Sequence, residues 1–74
     1  VAAELGNANA VTDAGIGAVL GEAAAVGAAL NVRINLGSIE DAEYVRRTAE
    51  ELDAILAEAA ALRADVLATT LARI

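Results

Sequence analysis

Two groups of polar side chains, with Glu22 between them, interrupt a segment that otherwise consists of Ala, Gly, Val, Leu and Ile. The first group consists of Asn7, Asn9, Thr12 and Asp13, and the second of Asn31, Arg33 and Asn35. A polar group that folding buries without a hydrogen bond costs about 1–3 kcal/mol. Polar side chains in an apolar segment therefore need a structural or a chemical reason, and any function of this chain has to be argued from these two groups.

The first group allows a structural and a ligand-binding interpretation. Asp13 can complement the positive end of a helix dipole, or it can accept two hydrogen bonds from an amino-pyrimidinone or guanidinium-like edge of a ligand. Asn7 and Asn9 are typical loop-forming residues, and they are also candidate ligand contacts.

The second group leaves a similar choice open. Arg33 is either an interface arginine paired with carboxylates of a neighbouring helix or a site for an anionic group such as a carboxylate. Asn31 and Asn35 lie one helical turn apart and share a face with Asp13, so they either join helices or contact a ligand. Arg46 and Arg47, beside Glu43 and Glu50, are typical of a solvated helix face.

Distance limits how these residues can be combined. Eighteen residues separate Asp13 from Asn31, which is about 27 Å along an unbroken helix. One compact site cannot use both ends of one helix. The two groups therefore serve two sites, or a second chain brings them together.

Composition excludes several classes of function. The chain has 74 residues, no cysteine and no histidine. It therefore lacks the residues for a thiolate metal site, a disulfide framework, or a Ser–His or Cys–His nucleophile. A net charge of −6 and a single aromatic residue argue against nucleic acid and anionic membranes as partners. We predict no metal and no cofactor.

Helix signals predict the elements that position these residues. Gly6 ends a short helix at about residues 1–5, and a second helix runs over about 10–36, with Asn9 or Thr12 as its N-cap and Asp13 in its first turn. Gly37 and Ser38 break this run. Ser38 to Asp41 then forms a variant of the capping box that starts a third helix over about 39–73.

The third helix shows the clearest periodicity in the chain. Apolar residues recur every seven positions at Val45, Leu52, Ala59 and Val66, with Thr48, Ile55, Leu62 and Thr69 between them. This spacing predicts a long amphipathic helix, and the fold class is all-α: a long helical hairpin that forms part of an up-and-down helical bundle. The second helix is apolar almost all round, so we expect the chain to dimerise or to dock on a missing N-terminal part.

The polar motifs carry a family resemblance. The chain resembles the C-terminal part of the formiminotransferase-cyclodeaminase C-terminal family in three places. These are Asn7 to Gly15, the helix of small residues that follows, and Ala29 to Leu36. The resemblance runs from about Leu5 to the end of the chain. In that family the two motifs occur in this order and at this separation, whereas the final helix is generic.

The resemblance implies a homodimeric, all-helical enzyme of one-carbon folate chemistry. It acts as a cyclodeaminase of 5-formimidoyltetrahydrofolate or as a cyclohydrolase of 5,10-methenyltetrahydrofolate. The resemblance then implies that seven residues bind the substrate, a tetrahydrofolate derivative: Asn7, Asn9, Thr12, Asp13, Asn31, Arg33 and Asn35. The catalytic acid–base group is expected upstream of Val1, so this chain alone is expected to be an inactive segment.

Two other interpretations remain. One is a non-catalytic hairpin for oligomerisation, in which the Ala/Gly helix packs against a copy of itself. The other is a membrane helix over residues 14–32 with Gly17 and Gly21 at its interface, against which Glu22 and the acidic flanks argue. No secretory signal is visible at the N-terminus, and we expect a cytoplasmic location.

Overall fold

Two antiparallel α-helices form the whole of the described structure. The computed structural model describes residues 8–74, and in it helix α1 spans Ala8–Leu36 and helix α2 spans Ala42–Arg73. The hairpin is elongated, with extents of 51 × 15 × 14 Å. The all-α hairpin predicted from the sequence is confirmed. The short helix predicted at 1–5, and Asn7, lie outside the described residues.

The start of α1 differs from the prediction. The helix begins at Ala8, so Asn9 and Thr12 lie inside it and neither is its N-cap. Asp13 consequently falls in the second turn, and the first turn has no acidic side chain. Alanine has the highest helix propensity, and Ala8 and Ala10 favour extension of the helix through this stretch.

The start of α2 also differs. Asp41 is the N-cap, and its Oδ1 accepts a hydrogen bond of 3.1 Å from the backbone N–H of Tyr44. Ser38 does not cap α2, because both its Oγ (2.9 Å) and its N–H (3.2 Å) donate to the carbonyl of Asn35. Ser38 therefore completes the end of α1, and the capping role moves three residues along the chain.

The face of α2 that packs on α1 is partly the predicted one. Val45, Leu52, Ala59 and Val66 are all at least partly buried, as the seven-residue period predicts. The intervening stripe was predicted wrongly at its centre, because Ile55 and Leu62 are 56% and 59% exposed. The stripe that packs instead lies one residue further along, and it consists of Ala49, Leu56, Arg63 and Thr70.

The physical reason is that Glu22 of α1 needs a cation on α2. The stripe that packs gives Glu22 an ion pair with Arg63, and it places the hydroxyl of Thr70 3.4 Å from the carbonyl of Val11. Packing of Ile55 and Leu62 in their place would leave Glu22 half-buried without a cation. Such a charge is costly unless it is paired.

Most of α1 remains outside this contact. Val11, Ala29 and Leu36 are buried, whereas Ile16, Leu20, Leu30 and Ile34 are each more than half exposed. By length and composition alone, Asn9–Leu36 could also span a membrane. Core helices of soluble bundles have the same composition, since a helix that is apolar all round is a buried one.

Candidate functional site

The predicted site residues lie at the two ends of α1. Asn9, Thr12 and Asp13 belong to its first two turns, and Asn31, Arg33 and Asn35 to its last two. Within one chain the structure therefore does not bring the two groups together, and about 27 Å of helix separates Asp13 from Asn31. All six side chains are exposed.

Asp13, Asn31 and Asn35 share one side of α1. At 100° per residue they fall within about 40° of one another. In residues 8–74 no hydrogen bond or ion pair occupies the side chains of these three residues. A carboxylate and two amides, which can accept and donate hydrogen bonds, are thus presented to whatever contacts this side of the helix.

Arg33 is engaged within the hairpin. Its guanidinium forms an ion pair with the carboxylate of Asp53 on α2, and the two side chains are 40% and 70% exposed. This is the interhelical arrangement that the sequence allowed as one of two interpretations. Exposure of both groups to solvent keeps the pair weak, and ligand binding by Arg33 stays a prediction.

A second interhelical ion pair was not among the predicted site residues. Glu22 Oε1 lies 2.5 Å from Arg63 Nε, and the two side chains are 23% and 33% exposed. The Nε–H does not point at an acceptor among the described residues, so this contact is an ion pair without a well-aligned hydrogen bond. No signal in the sequence pointed to this pair, because its register follows from the contact of Gly15 with Thr70: Glu22 lies seven residues along α1 from Gly15, and Arg63 lies seven residues back along α2 from Thr70.

Two grooves flank the contact between the helices. The first has a volume of about 250 Å³ and is lined by apolar atoms of Ile16, Val19, Leu20 and Leu67, with Thr12 at its edge. The second, of about 200 Å³, lies on the other side and contains the Glu22–Arg63 pair beside Gly21 and Leu62. Of the predicted site residues that are described, only Thr12 lines either groove.

Arg46, Glu43 and Glu50 belong to the outer face of α2. Arg46 bonds to Glu43 and, at 2.8 Å, to Glu50. The hydrogen bond with Glu43 and then that with Glu50 raise the pKa of Arg46 above its ordinary value. Its charge is therefore constant at any physiological pH, as expected of the solvated face that the sequence predicts. Among residues 8–74 no cluster of three acidic side chains could hold a metal ion.

Comparison with known proteins identifies the family. The model of the formiminotransferase-cyclodeaminase family matches residues 1–54, a range that includes both polar groups. The methenyltetrahydrofolate cyclohydrolase of Methylorubrum extorquens is 34% identical over all 74 residues. The chain spans 36% of the length of that relative.

No solved structure gives a significant match to this chain. The family match nevertheless covers well over half of the residues, and the similarity to the relative extends from end to end. The chain therefore belongs to the formiminotransferase-cyclodeaminase family.

Proposed function

We propose that this chain is a substrate-binding segment of a tetrahydrofolate one-carbon enzyme. The reaction is cyclodeamination of 5-formimidoyltetrahydrofolate or hydrolysis of 5,10-methenyltetrahydrofolate, in the cytoplasm and without a cofactor. The observation that carries the proposal is the set of exposed polar side chains at Asp13, Asn31 and Asn35, which lie within the family match and which the hairpin leaves without partners.

The chemistry of these groups suits the pterin end of a folate. The Asp13 carboxylate can accept two hydrogen bonds from an amino-pyrimidinone edge, and each asparagine amide offers both a donor and an acceptor. Asn7, Asn9 and Thr12 belong to the same end of the chain as Asp13. Arg33 either binds a carboxylate of the substrate or keeps its interhelical role with Asp53.

The acid–base group belongs to another part of the enzyme. The chain has no histidine or cysteine, and its half-buried carboxylate, Glu22, is occupied by Arg63. The relative is nearly three times as long as this chain, which leaves ample sequence for the missing group and for further helices of the bundle.

The alternative is a non-catalytic oligomerisation hairpin. Gly17, Gly21 and Gly27 favour it, because the described structure places nothing within 4 Å of a Cβ built at any of them. Both functions can use the same helix, and folate binding distinguishes them.

The test is turnover and folate binding with and without the rest of the fold. We expect the 74-residue chain alone to turn over neither folate, and we expect activity when the preceding segment of a family member is supplied. In the complemented enzyme Asp13→Asn should weaken folate binding at least tenfold. Asp65→Asn, the same change at another exposed aspartate, on α2, serves as the control and should have no effect.

Two results would contradict the proposal. Robust turnover by the chain alone would show that the acid–base group is not elsewhere. A complemented protein that ignores tetrahydrofolates, with Asp13→Asn changing only stability, would favour the oligomerisation hairpin.

A further inference from the structure

Helix α2 can present two different stripes to α1, and the hairpin uses one of them. The shared stripe lies at the centre and is at least partly buried along its length: Val45, Leu52, Ala59 and Val66. The packed stripe lies on one side of it: Ala49, Leu56, Arg63 and Thr70. The alternative stripe lies on its other side: Thr48, Ile55, Leu62 and Thr69. Rotation of α2 by about 50°, half of the 100° between successive residues, exchanges the two outer stripes and keeps the shared stripe in contact.

The two outer stripes are alike at three of their four levels. Each residue of the alternative stripe directly precedes one of the packed stripe, which gives the pairs Thr48–Ala49, Ile55–Leu56 and Thr69–Thr70. The first pair consists of two small side chains that are both partly buried, the second of two aliphatic side chains of equal volume, and the third of two identical residues. Exchanges that conserve volume are tolerated in cores, so these levels do not choose between the two packings.

The fourth level is the unequal one. Here Leu62 of the alternative stripe precedes Arg63 of the packed stripe, and both lie beside Glu22 of α1. Leu62 remains 59% exposed, whereas Arg63 pairs with Glu22, whose side chain is 23% exposed. A shielded carboxylate needs a cation, so the charge of Glu22 determines that Arg63 faces α1 and that Leu62 does not.

The packing that this charge selects has two unfavourable features. Arg63 Nε is buried without a hydrogen-bond acceptor among the described residues, although Glu22 Oε1 lies 2.5 Å away. Ile55 and Leu62 remain more than half exposed. The alternative packing would return Arg63 to water and bury the two aliphatic side chains, so it removes both features once Glu22 no longer needs a cation.

We propose that α2 has two packings on α1 and that the charge of Glu22 selects between them. With Glu22 charged, Arg63 faces α1, as described above. Without that charge, α2 rotates by about 50° around its own axis, Ile55 and Leu62 enter the contact, and Arg63 moves to solvent.

The rotation also changes the surroundings of Arg33. Its partner Asp53 lies on the same side of α2 as the packed stripe, four residues after Ala49 and three before Leu56. The rotation carries that side away from α1, so the ion pair opens and the guanidinium becomes available to another carboxylate. A ligand carboxylate that binds the released Arg33 therefore favours the rotated packing in turn. This consequence rests on the proposed function, whereas the two packings do not.

Cysteine labelling measures the rotation without any folate. The chain has no cysteine, so a single introduced thiol reports one position at a time. Thr69→Cys and Thr70→Cys change little in size, and they place the thiol on the alternative and the packed stripe respectively. Thr70 is 4% exposed, so the thiol at position 70 should react with a maleimide about tenfold more slowly than the thiol at position 69.

Glu22→Leu should reverse this order. Rotation protects position 69 and exposes position 70, so the two rates change in opposite directions, whereas a loss of folding accelerates both. Glu22→Gln should shift the ratio of the rates in the same direction by less, because its amide still prefers a polar partner. Glu58→Gln, the same change at an exposed glutamate of α2, is the matched control and should leave the ratio unchanged.

A double variant tests the role of the charge with Glu22 in place. Leu62→Arg together with Arg63→Leu keeps the composition of the chain and moves the cation to the alternative stripe. The carboxylate of Glu22 should then draw α2 into the rotated packing, and the order of labelling should reverse as it does in Glu22→Leu.

Two results would overturn the proposal. Retention of the original order in both Glu22→Leu and the double variant would show that the charge does not select the packing. Faster labelling of both positions in both variants would show that α2 has no second packing to adopt. Reversed labelling in a protein that binds no folate would keep the two packings and refute only the function.

Discussion

Gly15 is the glycine of α1 at which an added Cβ would collide with α2. A Cβ at this position would lie 3.0 Å from both Cγ2 and Oγ1 of Thr70, which is itself buried. The Thr70 hydroxyl donates to the carbonyl of Val66 at 2.8 Å and lies 3.4 Å from the carbonyl of Val11. Thr70 is thus held by its own hydrogen bonds and cannot rotate freely to make room.

Gly15→Ala should therefore destabilise the hairpin. Overpacking of this kind costs about 1–3 kcal/mol, and the gain of about 1 kcal/mol in helix propensity offsets only part of it. Gly27→Ala is the matched control, because it has open space and should stabilise the helix by that amount. Urea unfolding measures both. Thr70→Ala in the Gly15→Ala background should restore part of the loss, and equal effects of the two glycine changes would refute the close contact.

At the scale of the elements, two interhelical ion pairs tie α1 to α2 in different surroundings. Glu22 and Arg63 are largely shielded among Ala18, Ala59 and Val66, whereas Arg33 and Asp53 face solvent. Removal of one partner from a shielded pair leaves the other as an uncompensated charge. Removal of one partner from an exposed pair leaves a charge that water can solvate. The shielded pair therefore fixes the register of the two helices.

Glu22→Gln should cost more stability than Asp53→Asn. We expect about 1–2 kcal/mol for the first and less than about 0.5 kcal/mol for the second. The interaction of Glu22 with Arg63 should also persist in 0.5 M salt, whereas that of Arg33 with Asp53 should vanish. Double-mutant cycles in urea at both salt concentrations measure the two couplings. Equal couplings would show that shielding has no influence.

At the scale of the whole molecule, the hairpin exposes too much apolar surface for an isolated domain. Beyond Asp13, helix α1 has two charged residues, Glu22 and Arg33, and both form ion pairs with α2. The rest of that part of the helix is uncharged. A surface of this kind marks an interface. We therefore expect the rest of the fold or a second copy of the chain to cover this surface.

The thermal stability of the chain should depend on its concentration. A two-state dimer gains stability by mass action, so the unfolding midpoint should rise by several degrees over a hundredfold increase in concentration. Circular dichroism melts from micromolar to near-millimolar protein measure this. A midpoint that does not change would describe a monomer that is stable by itself.

The sequence determined the helices, their order and the end of α1, because the seven-residue period and the Gly37–Ser38 break are local properties. It also determined which polar residues are available for chemistry. It did not determine the helix starts: Asp41 and Ser38 are both good caps, and only the hydrogen bonds of Ser38 with Asn35 decided between them.

The tertiary structure decided which stripe of α2 faces α1. Stripes with Ile55 and Leu62 or with Arg63 and Thr70 have nearly equal periodicity, and the need of Glu22 for a cation selects the second. The same contact leaves Gly17, Gly21, Ala24 and Ala28 of α1 exposed. Which residues pair is a property of two helices at once, and for that reason the residues of one helix alone could not reveal it.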